Sequence, residues 1–330
     1  MISPLLIMVI VIALVFAFVT GFHDTANAIA TSVYTRALTP GKAIALASVM
    51  NFIGALVSER VAMTICKGLV VTEPAQFVIL AALLGAVFWN LLTWYYGIPC
   101  SSSHALIGSL LGAVIVSAGG FQAVLWGGVT NKVIIPLFTS PLIGLVIGYI
   151  FMKLLFFLLQ NETHRWVNQS FSKLQVLSAA LVAYSHGNND AQKTMGIITL
   201  ALIASDMASP ANGVPMWVKI ICAIMMALGT ASGGRRIMKT MGSGVTRLEP
   251  VGGFAAQTAS AIVIEASTLF GIPVSTTQVI TSAVMGVGSA KRLSAVKWSA
   301  AANIVLTWFI TLPVTMVIGG LLAYLLGMIF

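Results

Sequence analysis

Charged side chains are scarce in this sequence: Asp, Glu, Lys and Arg together make up 8% of 330 residues, against roughly 25% in soluble globular proteins. That scarcity excludes an ordinary water-soluble fold. Acidic residues are the rarer sign, 8 against 17 basic, so any carboxylate inside an apolar stretch needs a physical reason to be there. Cysteine is nearly absent, and Cys66, Cys100 and Cys222 stand in separate apolar stretches without CxxC or other ligand spacing. A disulfide framework and a cysteine-rich metal centre are therefore excluded. Long basic runs and basic residues interleaved with aromatics are missing too, so the net charge of +9 argues for membrane orientation and against nucleic acid. The first residues, MISP, lack the basic region of a secretory signal, and the apolar run behind them is read as a retained span.

What the chain has in abundance is apolar side chains, 58% of the total, with a mean hydropathy of +1.01. With about 20 apolar residues needed per spanning helix, the expected fold is an all-α polytopic membrane protein. Apolar segments lie near 4–31, 42–59, 76–97, 103–118, 133–152, 174–204, 217–233, 251–270, 275–290 and 297–328, the last containing Pro313 as a kink or a point of division. Taking 76–118 and 251–290 as re-entrant helical hairpins sorts the loops. Arg36, Lys42, Lys153, Arg165, Lys173, Arg235, Arg236, Lys239, Arg247, Lys291, Arg292 and Lys297 fall on one side, and Arg60, Lys67, Lys132 and Lys219 on the other. The positive-inside rule makes the first side cytoplasmic and puts both termini outside, in a multi-pass protein of the cell membrane.

Two motifs recur at nearly one offset. GFHDTAN at 21–27 has its counterpart in GNNDAQK at 187–193, which pairs Asp24 with Asp190. YGIPCSSSH at 96–104 has its counterpart in FGIPVSTTQ at 270–278, which pairs Ser101, Ser102 and Ser103 with Ser275, Thr276 and Thr277. Each half, 1–160 and 161–330, thus carries a helix expected to be interrupted at its Asp motif and a re-entrant hairpin, with tips at 97–104 and 271–278. Under the topology above one half starts outside and the other inside, so the two are inverted-topology repeats. That is the architecture of secondary transporters, with a site at the midplane between repeats.

The tips have a chemical reading. Gly-Ile-Pro stops the first arm, and the hydroxyl residues then fall at the N-terminus of the second, where free N–H groups and the helix dipole favour an anion. Serine and threonine in membrane helices often bond only to their own backbone, but matched tips in both halves favour a ligand. Asp24 and Asp190 are costly at membrane depth unless buried against partners or ions. Asn27, Asn188, Asn189 and Gln192 cluster with them as ligands or interhelical bonds. Lys193 snorkels, pairs with an aspartate or contacts phosphate directly. His23, His104 and His186 serve as packing groups or titrate. Glu59 reads as an interfacial charge or a functional acid, and Glu265, inside AIVIEASTLF, has no acidic counterpart in the other half.

GFHDTANAIAT, SHGNNDAQK, GIPCSSSH and GIPVSTTQ resemble the paired signatures of the inorganic phosphate transporter family, over nearly the whole chain. The resemblance implies a secondary active transporter, not an enzyme, that imports inorganic phosphate by cation symport. It implies phosphate binding by Ser101, Ser102, Ser103, Ser275, Thr276, Thr277, Asn27 and Asn189, and cation coupling by Asp24, Asp190, His23, Glu59 and Gln192. His23 before Asp24, Gln257 and Gln278 depart from the residues many relatives hold. The GFHD form is similar to the bacterial low-affinity, proton-coupled branch, reported to take neutral metal–phosphate complexes.

Electrostatics leads to the same need for a cation. Phosphate next to two ionised aspartates is repelled in a low-dielectric interior, so a proton, a sodium ion held at Asp24 and Asp190, or a divalent metal bound to the phosphate must come with it. No resident cofactor is expected; the proton is the favoured co-transported ion and sodium the alternative. The partners are then phosphate and the lipid bilayer, with a homodimer compatible with such a carrier. A phosphate or anion channel is the alternative class, and an intramembrane aspartyl hydrolase, built on an aspartate dyad, a weaker one that leaves the hydroxyl tips unexplained.

Overall fold

The computed structural model describes residues 3–233 and 245–330, and all of their side chains except those of residues 25–27 and 210. Arg235, Arg236 and Lys239, counted above as cytoplasmic, lie outside the described residues. Ordered along the chain are α1 (Pro4–Tyr34), α2 (Pro40–Ala55), α3 (Arg60–Lys67), α4 (Gln76–Tyr96) and α5 (Ser102–Ala118). After them come α6 (Trp126–Val129), α7 (Ile135–Leu158), α8 (His164–Ile203) and α9 (Met216–Ser232). The last three are α10 (Pro250–Leu269), α11 (Thr276–Lys291) and α12 (Trp298–Leu326). Helices α1, α4, α12 and the run Trp126–Leu158, in which one π-helical turn joins α6 to α7, are long and apolar enough to cross a membrane. Helices α2 and α3 make a further span if taken as one, bent by 63°. Large apolar side chains such as Phe138, Leu142, Ile150 and Phe157 are exposed on the outer surface, where a bilayer supplies their solvent.

The sequence-based bounds need three corrections. Neither Asp motif interrupts its helix: α1 runs unbroken through GFHDTAN, and α8 through GNNDAQK. The polar side chains there find partners on other helices, so the backbone has no reason to open. Second, the expected span 42–59 ends at Ala55 and turns sharply into α3. Third, α8 begins at His164, ten residues before the apolar run, with the Thr163 hydroxyl accepting from Trp166 N at 3.4 Å. Hydropathy marks where lipid begins, whereas a helix begins at its cap. Pro313 does not divide α12; it sits inside a continuous helix, as Pro141 does in α7.

The breaks fall instead at the two hairpin tips, by one mechanism. Gly97 (φ 68°) and Gly271 (φ 63°) adopt the left-handed conformation that ends a helix. Proline follows two residues on, and Ser101 and Ser275 then cap α5 and α11, accepting from His104 N at 3.2 Å and Gln278 N at 3.3 Å. The far ends of the hairpins match as well. Single 3-10 turns, Phe121–Ala123 and Leu293–Ala295, follow the second arms. Trp126 and Trp298 donate their indole N–H groups to Phe121 O (2.9 Å) and Leu293 O (3.0 Å). Isolated antiparallel bridges, Val70 with Val124 and Thr246 with Val296, tie each of these turns to the segment before its hairpin.

Packing crosses the midpoint of the chain. Helix α5 makes its largest contact with α12, and α11 with α7; α1 packs on α9, and α2 on α8. Residues 1–160 and 161–330 are therefore interleaved, and neither forms a separate body.

Candidate functional site

The two unbroken Asp helices and the two broken hairpins meet at one buried cluster. Asp24, 1% exposed, accepts from Ser102 Oγ of the first tip at 2.5 Å and from Thr277 Oγ1 of the second at 3.3 Å. His23 Nδ1 lies 2.8 Å from Asp24 Oδ1, and its other nitrogen lies 3.3 Å from Thr93 Oγ1. Asp190, also 1% exposed, accepts from Thr276 Oγ1 of the second tip at 3.1 Å and lies 3.2 Å from His186 Nε2. The symmetry is chemical: the residue after each capping serine gives its hydroxyl to an aspartate, Ser102 to Asp24 and Thr276 to Asp190. The tips also touch each other directly. Ser103 Oγ donates to Val274 O at 3.1 Å, and Gln278 Nε2 lies 3.5 Å from His104 Nδ1.

Lys193, 1% exposed, bonds to Asp190 and to Ser103, and reaches Val274 O at 3.1 Å. His186 continues outward, its Nδ1 3.0 Å from Asn51 Oδ1, and Asn51 Nδ2 donates to Thr230 Oγ1 at 2.9 Å. One ligand atom each of Asp24, His186 and Asp190 lies within 4.8 Å of the other two. Two carboxylates, an imidazole and the surrounding hydroxyls form a donor set that suits a small cation or a shared proton. The N-termini of α5 and α11, whose first-turn N–H groups lack intrahelical partners, carry the hydroxyls of this same cluster. The arrangement can hold an anion and a cation side by side.

Of the expected residues, Asp24, Asp190, His23, Ser102, Ser103, Thr276 and Thr277 come together here. Ser101 and Ser275 instead spend their hydroxyls as helix caps. Asn189 anchors the second hairpin, donating to Thr268 Oγ1 at 2.9 Å and Ile272 O at 3.2 Å. Gln192 Oε1 receives Val61 N at 2.8 Å and so fastens the start of α3 to α8. Asn188 donates to Glu265 Oε1 at 2.9 Å. The side chain of Asn27 lies outside the described residues. Two contributors lacked a firm sequence assignment: His186 and Lys193 lie four residues before and three after Asp190, on its own helix face. That spacing was the available signal. Asn51 had none.

Glu59 stands apart. It caps no helix with its side chain but pairs with Lys219 Nζ at 2.6 Å, 39% exposed, and accepts from Val214 N at 3.3 Å. Such partly exposed pairs contribute about 0.2–1 kcal/mol. Glu59→Gln is accordingly expected to leave transport within about fivefold of the parent, on the basis of that small pair energy; a loss of more than tenfold would place Glu59 in the coupling machinery.

A model described as the phosphate transporter family matches residues 20–319. The chain is 47% identical to a "probable low-affinity inorganic phosphate transporter" of Bacillus subtilis over 329 residues, covering 99% of this chain and 98% of the relative. It is 46% identical to a protein of the same description from Rhizobium meliloti, covering 96% and 95%. Among solved structures it is similar to one described as "the sodium-dependent phosphate transporter", with a TM-score of 0.90 at 25% identity, over 99% of this chain and 100% of the other.

Proposed function

Because the chain belongs to the phosphate transporter family, we propose that it imports inorganic phosphate across the cell membrane by cation symport, with the proton as the favoured coupling ion. One observation carries this reading: two hairpin tips from opposite halves each present a hydroxyl to a buried aspartate, Ser102 to Asp24 and Thr276 to Asp190. Phosphate belongs between the tips, against the N-termini of α5 and α11. The cation belongs among Asp24, Asp190 and His186, with His23 beside Asp24. Each ligand lowers the electrostatic cost of the other, so their binding is cooperative, as symport requires. The described residues of the site all come from one chain, so transport is assigned to the single chain.

We further read the halves as inverted-topology repeats, with the hairpins re-entering from opposite sides and both termini outside. Matched tips, caps, 3-10 turns and indole bonds at corresponding positions support that relation. The halves interleave, so the moving bodies in alternating access are not the halves themselves. The pairs α5–α12 and α7–α11, each joining one half to the other, are the better candidates. Arg60 Nη1, Lys132 Nζ and Thr64 Oγ1 donate to the carbonyls of Leu269 (2.6 Å), Phe270 (2.8 Å) and Gly271 (2.7 Å), latching the second tip. The first tip borders a cavity of about 350 Å³ lined by Gly97, Ile98, Pro99, Asn303 and Thr307.

The deciding experiment is labelled phosphate uptake into proteoliposomes, with proton and sodium gradients imposed separately at fixed membrane potential. Uptake driven by the proton gradient is the expected result. Uptake that follows sodium alone would transfer the coupling role to sodium, and uptake indifferent to both would overturn symport in favour of a channel.

A further inference from the structure

The two aspartates are not served alike. Asp24 is met by two hydroxyls and an imidazole, whereas Asp190 carries a lysine ammonium as well as its hydroxyl and imidazole. Lys193 does not snorkel. Its side chain is among the largest fully buried ones among the described residues, and its nitrogen donates to three oxygens of the site. Those three partners are a carboxylate, a hydroxyl and a backbone carbonyl, and an ammonium has three donors to give. Carboxylate, hydroxyl and carbonyl oxygens are also the ligands a hard cation such as sodium takes. The partners come from three different elements: Asp190 from α8, Ser103 from the first tip and Val274 from the second.

We propose that Lys193 is a resident cation of the phosphate site, its ammonium filling at Asp190 the place that a co-transported cation takes at Asp24. The assignment rests on the symport reading above and deepens it. Two carboxylates and one ammonium leave the empty site with one net negative charge. A carrier of this geometry without the lysine would have two to neutralise. One mobile cation at Asp24 then suffices before phosphate binds, and one positive charge fewer crosses the membrane per phosphate. The fixed ammonium also lies across both tips through Ser103 and Val274, so phosphate meets a positive charge as soon as the tips close on it.

The matched position in the first half is Asn27, which makes Lys193→Asn the natural test. The charge translocated per phosphate is read from zero-flux potentials in proteoliposomes, for the parent, for Lys193→Asn and for the double variant Asp190→Asn/Lys193→Asn. The single variant is expected to carry one more positive charge per phosphate than the parent. The double variant, whose site regains the parent's net charge, is expected to show the parental ratio even where its rate falls. A second reading does not depend on transport. With a bare carboxylate in place of the ion pair, the thermal midpoint of purified Lys193→Asn is expected to rise more than the parent's with the ion that couples the parent's uptake, supplied as acidification or as sodium against choline at equal ionic strength. An unchanged charge ratio in the single variant, or a midpoint no more responsive than the parent's to the coupling ion, overturns the assignment. Parent uptake that follows no cation gradient sinks the symport reading itself, an outcome visible without any variant.

Discussion

Asp24→Asn is expected to lower gradient-driven phosphate uptake by about two orders of magnitude while leaving the protein folded. The carboxylate is buried and accepts from Ser102 Oγ at 2.5 Å and Thr277 Oγ1 at 3.3 Å. Hydrogen bonds to a charged group contribute about 1.5–3 kcal/mol each. An amide keeps one carbonyl acceptor but turns an NH2 group toward the second hydroxyl, so at least one such charge-assisted bond is lost, and with it the charge proposed to hold the coupling cation. A loss of about 3 kcal/mol corresponds to roughly a hundredfold. The volume is unchanged, which confines the effect to charge and hydrogen bonding. The measurement is initial uptake rate under a proton gradient, with the thermal midpoint as the control for folding. A variant that still conducts phosphate at the parental rate, without regard to the gradient, would mark the pathway as a channel.

Gly112→Ala is expected to cost about 1–3 kcal/mol of stability, the usual range for an overpacked interior, and to be read as a fall of several degrees in thermal midpoint. A Cβ at Gly112 would lie 1.8 Å from the carbonyl oxygen of Met316 and 2.6 Å from its carbon. Both atoms are backbone of α12, so no rotamer relieves the clash and the α5–α12 seam must open. Small residues at such seams let helices approach closely in a bilayer, where packing stands in for the hydrophobic drive. Gly286 makes the corresponding approach on α11, where a Cβ would lie 2.1 Å from Leu145 O of α7. The two seams share no side chain, so the double alanine variant is expected to lose the sum of the single effects. Because these seams belong to the pairs proposed to move, uptake is expected to fall with stability. An unchanged midpoint for either single variant would show that the helices are not held this closely.

The hairpins were readable from GIPCSSSH and GIPVSTTQ because their causes are local. A glycine that can take positive φ, a proline that cannot continue a helix and a serine that can cap the next one all lie within a few residues of each other. The aspartates were readable because a carboxylate at membrane depth is expensive in any fold. The expectation that their helices break was wrong for the complementary reason. Whether a buried polar side chain opens its own backbone depends on what stands opposite it, and opposite Asp24 stand Ser102 and Thr277, 78 and 253 residues away.

The division of labour among hydroxyls shows the same limit. Ser101, Ser102 and Ser103 are one residue type in a row, and nothing local predicts that the first caps α5, the second holds Asp24 and the third meets Lys193. A helix turns about 100° per residue, so each points elsewhere, and only the neighbours assign the task. The sequence by itself determined an all-helical membrane chain, two internally matched halves, the hairpin tips and the pair of buried acids, because hydropathy, backbone stereochemistry and desolvation act within a few residues. Only the tertiary structure decided that the halves interleave, that Glu59 pairs with Lys219 away from the aspartate cluster and that Lys193 sits on Asp190 between both tips, because those outcomes depend on contacts between segments far apart in the chain, and no local pattern encodes which distant segment arrives.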